Sequence, residues 1–205
     1  MSERRARAAG AGAGAEVRIR SASAAAPDRE AIAGICIATG DAGTDARASG
    51  LGEPALGALV ARYATCYLDL EPAFAVVAEL DGRVLGYALG ALDTADFATR
   101  FEQLDDHSLT AAERREHARG LRVPEAERFP SHLHVDLLPE AQGRGLGRRL
   151  VDEVHGRLAV AGSRGVHLGV DPRNTVALAF YPRVGFARAR EEPEVVIFTR
   201  PLPAA

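Results

Sequence analysis

Residues 132–154, HLHVDLLPEAQGRGLGRRLVDEV, constrain this 205-residue chain more than any other stretch. An alternating segment, His132 to Leu138, ends at Pro139, and glycines recur at 143, 145 and 147. A run with Leu146, Leu150, Val154 and Leu158 on one face follows at once, from Gly145 to Ala161. The order reads as strand, glycine-rich turn, helix. Residues without a Cβ let backbone N–H groups approach a ligand closely, and a helix N-terminus carries about half a positive charge. Together they make an anion cradle, to which Arg144, Arg148 and Arg149 add guanidinium groups suited to phosphate.

Three phosphate-binding readings compete with the plain one, in which the glycines only make a tight turn. A dinucleotide turn needs G-x-G-x-x-G, and here the third glycine arrives one residue early. Asp171, just past the next strand, suits a ribose-binding acid, so that reading is weakened and not excluded. A Walker loop needs a lysine, and all 25 basic residues are Arg. The same composition removes Schiff-base and kinase-type lysine chemistry. What remains is a pyrophosphate cradle of Q-x-x-G-x-G form at Gln142, Gly145 and Gly147.

The rest of the chain alternates strands and helices. Residues 1–15, rich in Gly and Ala, are expected to be a disordered leader ahead of a single domain over 16–205. Val17 to Ser21 suits a short strand, and Pro27, Asp28 and Glu30 open a helix carrying Ile32, Ile35 and Cys36. Leu56, Leu59, Val60, Tyr63 and Tyr67 mark a second amphipathic helix. Phe74 to Leu80, Asp81-Gly82 and Arg83 to Leu92 read as a hairpin. Residues 93–130 form a charged excursion, with capping-box spacing at Thr110 and Glu113, read as a solvated surface or a flap over a substrate site. Gly165 to Val170 is a strand, Asn174 to Val184 a short helix, and Val195 to Thr199 a last strand. The class is α/β (α+β) with a mixed sheet.

Net charge −3 argues against a dedicated nucleic-acid or anionic-membrane binder. No apolar run reaches the ~18 residues of a membrane span. Cys36 and Cys66 have neither metal-ligand nor redox spacing, and read as buried thiols of a cytoplasmic protein.

The strand, the Gln142–Gly147 turn, the helix, the next strand, Asn174 and the segment AFYPRVGF at 179–186 resemble the acetyl-CoA-binding core of the GNAT superfamily of N-acetyltransferases. More narrowly, PSHLHVDLL and VVIFTRPL resemble the acetyltransferase-like C-terminal domain of animal O-GlcNAc hydrolases, which lack the glycine-rich turn kept here. The resemblance implies a mixed, mainly antiparallel sheet flanked by about four helices, its central strands near 132–138 and 165–170 splayed to admit acetyl-CoA. It implies acetyl transfer to a primary amine by direct attack in a ternary complex. Backbone groups of Val135, Leu137 and Leu138 would pair with the pantetheine arm. The N–H groups of Gly143, Arg144, Gly145, Leu146, Gly147 and Arg148 would hold the pyrophosphate, Asn174 would contact the pantetheine region, and Tyr181 would sit near the sulfur.

The chemistry needs a proton donor and a proton acceptor. Coenzyme A leaves as a thiolate, and the phenol of Tyr181, with an ordinary pKa of ~10, can protonate it. Pro182 follows directly and disfavours helical geometry at Tyr181, so the tyrosine is expected to be displaced or its helix kinked. An alkyl amine of pKa ~10.4 is free base only about once in 2,500 at neutral pH, so a base or water relay helps. His132, His134 and Asp136 share one strand face. Asp136 is the first candidate base, His134 the second, and a structural carboxylate the alternative. H-x-H-x-D also permits a zinc site, although no metal is expected. The rival to an enzyme is a non-catalytic acyl-CoA-binding or interaction module.

Overall fold

The computed structural model describes residues 16–203, so the expected leader at 1–15 lies outside the described residues. Seven strands form one sheet in the order β1-β2-β3-β4-β5-β7-β6. They are β1 Arg18–Ser21, β2 Ala75–Leu80, β3 Arg83–Ala91, β4 Ser131–Leu137, β5 Gly165–Val170, β6 Ala187–Glu191 and β7 Val196–Pro201. All neighbours are antiparallel except β4 and β5. The β2–β3 hairpin turns at Asp81 and Gly82, both at positive φ (49° and 79°), the geometry that a two-residue turn requires.

The expected helices are α1 Ala26–Thr39, α6 Leu146–Val160, α7 Thr175–Arg183 and a segment in which α2 Glu53–Val60 and α3 Cys66–Leu70 are joined through a π-helical stretch, Ala61–Thr65. Two more, α4 Thr94–Glu102 and α5 Ala111–Leu121, come from the charged excursion. Asp93 caps α4 by accepting from the N–H groups of Ala95 and Asp96, and α5 opens on the expected capping box of Thr110 and Glu113. The excursion is no loose surface, because Phe97, Phe101 and Ala118 are fully buried.

The sheet separates two cores. On one face α6 and α7 bury Leu150, Val154, Leu158 and Tyr181 against Val76, Leu133, Val166 and Phe198. On the other, α1 to α5 bury Ile32, Tyr67, Phe97 and Phe101 against Val77, Tyr87 and Leu89. Strand β6, absent from the sequence reading, is the edge strand ARARE, paired only to β7. Its residues have weak strand preference, and its charges suit an exposed edge, so no apolar alternation announces it.

The feature that positions the site is the parallel pair. Strands β4 and β5 are in register only at Ser131–Val166 and His132–His167, and beyond His132 they part. The splay lies where the resemblance implied it.

Candidate functional site

The splay exposes one edge of β4. Leu138 N–H donates to Leu85 C=O at 2.9 Å, in register with the Gly86–Leu137 and Tyr87–Asp136 pairs. Even-numbered residues of β4 therefore spend their backbone groups on β3, and Val135 and Leu137 turn theirs toward the gap. Leu138 spends its N–H on β3, and its C=O accepts from Ala141 N–H at 2.9 Å.

The glycine-rich turn closes one end of the gap, and its three glycines answer three demands. Gly143 (φ 70°) and Gly145 (φ 75°) take the left-handed conformation that glycine adopts without strain. A Cβ on Gly147 would come within 3.1 Å of Phe180 and 3.2 Å of Leu137, so its bare backbone lets α6 pack against α7 and β4. Gly145 caps α6 with no side-chain oxygen, and the first backbone bond back into the turn is Arg149 N–H to Gly145 C=O. The N–H groups of residues 143–148 thus have no protein acceptor among the described residues.

Not every residue of the motif serves the cradle through its side chain. Gln142 donates Nε2 to Leu137 C=O at 3.0 Å and its N–H to Pro139 C=O at 3.2 Å, so it shapes the turn. The Arg148 guanidinium donates to Arg183 C=O, and that of Arg149 to Val17 C=O at 2.9 Å. Both therefore brace neighbouring elements, while Arg144 is exposed at the turn.

The gap widens into a cleft with two ends. One, of about 620 Å³, is lined by Val135 to Leu137, Gln142, Gly143, Gly145 to Arg148 and Asn174. The other, of about 900 Å³, is lined by Tyr63, His117, His132, His134 and His167. Asp136, Tyr181, Thr39 and Asn174 line both, so the two proposed proton-transfer residues stand at the junction. Asn174 caps α7, its Oδ1 accepting from Ala177 N–H at 2.9 Å.

Tyr181 stays within α7 despite Pro182, which falls in the last turn. Its ring packs against Phe180, Phe186 and Phe198 with centroids 5.3–5.6 Å apart. This packing fixes the side chain where local preference alone disfavoured a helix. Burial first, and then the charge of Asp136, hold the phenol above its ordinary range, so it is protonated at neutral pH.

Asp136 is pushed up by burial, and hydrogen bonds from Tyr87 and Thr39 pull it back down. Tyr87 Oη donates to its Oδ2 at 2.6 Å. A carboxyl whose pKa is raised toward neutrality is a stronger base than an ordinary one. Tyr87 was missed from the sequence because only the β3–β4 register sets it opposite Asp136.

The histidines divide. His132 is spent in the core, its ring nitrogens 2.8 Å from Tyr67 Oη and 2.8 Å from Thr94 Oγ1. Thr94 donates its own proton to Pro130 C=O, so Nδ1 of His132 is the donor and Nε2 accepts from Tyr67. Its two engaged nitrogens speak against the H-x-H-x-D zinc reading, and no cluster of three His, Cys, Asp or Glu able to hold a metal ion occurs among the described residues. His134 lies edge-on to Tyr63 and Tyr67, and burial and then His117 push it down to about 4. His117 and Tyr63 were unassigned in the sequence. They meet edge-on at 5.2 Å, Tyr63 coming from the π-helical stretch and His117 from the excursion. Gly120, Leu121 and Val123 extend that wall, so the excursion encloses the wider end.

Cys36 also faces this end, but burial, and then Asp136, push its thiol up to about 12, and a protonated thiol is a poor nucleophile. No helix among the described residues is long and apolar enough to cross a membrane.

Residues 53–186 match the acetyltransferase (GNAT) family. The crystal structure of SsHAT is 32% identical, with a TM-score of 0.77, the match covering 90% of this chain and 98% of that one. The PaiA N-acetyltransferase from Thermoplasma acidophilum, in complex with coenzyme A, is 16% identical with a TM-score of 0.59, over 91% and 99%. YncA, a putative acetyltransferase from Salmonella typhimurium with acetyl-CoA, is 18% identical with a TM-score of 0.53, over 93% and 96%.

Proposed function

Because the chain belongs to the GNAT acetyltransferase family, with acetyl-CoA as its co-substrate, we propose that it transfers the acetyl group to a primary amine by direct attack in a ternary complex. The narrow end of the cleft suits the donor. Unpaired amides of residues 143–148 at an uncapped helix N-terminus bind pyrophosphate oxygens, and the β4 edge, free at Val135 and at the N–H of Leu137, pairs with the amide-bearing pantetheine arm. Asn174 stands at the junction beside that arm. Acetyl-CoA supplies the acyl group already activated as a thioester.

The remaining work falls to the chain's own groups. An N–H on the free β4 edge near Leu137 polarises the thioester carbonyl. Asp136 takes a proton from the acceptor's ammonium, directly or through water, so that the free amine attacks; Tyr181 then gives its phenolic proton to the leaving sulfur and is restored by the proton that the newly acylated nitrogen loses. The observation that carries this reading is the position of Asp136 and Tyr181 on the wall shared by both ends. Neither cysteine is needed as an acyl carrier.

The test is calorimetric titration with acetyl-CoA beside a thiol-release screen over primary amines, on the unaltered protein and on Tyr181→Phe. Expected are unchanged acetyl-CoA binding and a turnover lowered about a hundredfold or more in the variant. Binding without turnover on any amine identifies a non-catalytic acyl-CoA-binding module instead.

A further inference from the structure

The two ends of the cleft differ in charge. Along the narrow end stand three guanidinium groups, Arg148, Arg173 and Arg183, against one carboxylate, Asp136. Along the wide end the balance reverses: four carboxylates, Asp136, Asp171, Glu192 and Glu194, face two guanidinium groups, Arg173 and Arg190. Both of those arginines are already committed. Arg173 bridges Asp171 at 2.8 Å and Asp41 at 2.9 Å, and Arg190 holds Glu125 at 2.8 Å together with Glu192.

The imidazoles add no positive charge. Burial, largest among the causes, holds His117 and His134 at about 4 and His132 well below its ordinary value, and it also lowers His167. His167 further commits its Nδ1 to Phe129 C=O at 2.7 Å. At neutral pH the wide end is therefore a chamber of neutral rings with a net acidic wall. Its volume of about 900 Å³ is that of a small-molecule site.

We propose that this end selects a small primary amine whose body carries no carboxylate or phosphate. The inference rests on the amine-acceptor reading above and narrows it. An ammonium group finds Asp136 at the junction, and a body free of anionic groups lies against the ring edges of Tyr63, His117 and His134. A carboxylate or phosphate on that body enters a chamber whose guanidinium groups are taken, and faces Asp136 and Glu194 as like charges. The same charge sorting keeps the acceptor and the polyanionic donor at opposite ends.

Matched pairs test this. Tryptamine against tryptophan, and cadaverine against lysine, each differ by one carboxylate. With acetyl-CoA saturating, kcat/KM from thiol release is expected to favour tryptamine and cadaverine about tenfold or more. Calorimetric titration of the same four compounds into the protein loaded with coenzyme A gives a second readout that needs no turnover, with the same ranking expected. Glu194→Arg places a cation on the wall at an exposed position and is expected to narrow both ratios. Tryptophan and lysine accepted, or bound, as well as their partners overturn the inference. None of the four bound or acetylated while another amine of the screen is turned over also overturns it, whereas acetyl-CoA binding with no amine turned over at all fails the amine-acceptor reading, and this inference falls with it.

Discussion

Replacing Gly145 by alanine separates a cradle from a tight turn. Gly143, Gly145 and Gly162 all have positive φ (70°, 75° and 91°), and a Cβ built on any of them meets no protein atom within 4 Å. Alanine at each position therefore costs backbone strain alone, about 1–2 kcal/mol. Gly162 follows the C-terminus of α6, a helix of 15 residues and so about 22 Å long, which puts it far from the turn. It bears the strain without lining the cleft. Gly145 lines the narrow end of the cleft, so there the new methyl also takes up open space beside the unpaired amides. Displacing phosphate from one or two such bonds, each about 1.5–3 kcal/mol, weakens binding about tenfold or more. Urea unfolding and calorimetric titration with acetyl-CoA, run on Gly145→Ala and Gly162→Ala, are expected to show equal stability losses and a binding loss in the first alone. Equal losses with equal affinity would refute the cradle and leave the glycines as turn formers.

Asp136→Asn is expected to abolish acetyl transfer without lowering Tm. The carboxyl's pKa is raised in the fold, so its ionised form opposes folding above the unfolded value of ~3.9, and asparagine removes that charge while still accepting from Tyr87. A marked fall in Tm refutes it. Tyr87→Phe removes the donor that lowers the pKa of Asp136, so the acid limb of the kcat/KM profile moves to higher pH, and an unmoved limb shows that Asp136 is not the group titrating. His117 and His134 sit at about 4 in the fold against ~6.5 unfolded, so the unfolded chain takes up protons first. Their contribution to stability is full above pH ~6.5 and is lost as pH falls to ~4, on the order of 1–3 kcal/mol each. Urea midpoints measured across that window should fall, and His117→Gln should flatten the slope.

Much of this protein is written locally. The glycine positions, the Asp81-Gly82 hairpin, the capping box at Thr110 and Glu113 and the periodicity of α6 each satisfy a demand arising within a few residues, so pattern alone locates them. The glycine-rich turn was legible for that reason. Tertiary structure decided the rest. Local preference spoke against a helical Tyr181, and packing against Phe186 and Phe198 overrode it. His132 looked like a candidate for chemistry until Tyr67 and Thr94, brought in from α3 and α4, took up both its nitrogens. Tyr87 came to Asp136 only through β3–β4 pairing, and His117 reached the cleft only because the excursion folds back over it. Sequence spacing determines which residues share a turn or a face, because backbone geometry repeats over a few residues. Which charges lose their water, and which donors meet them, depends on segments tens of residues apart, and packing alone brings those together.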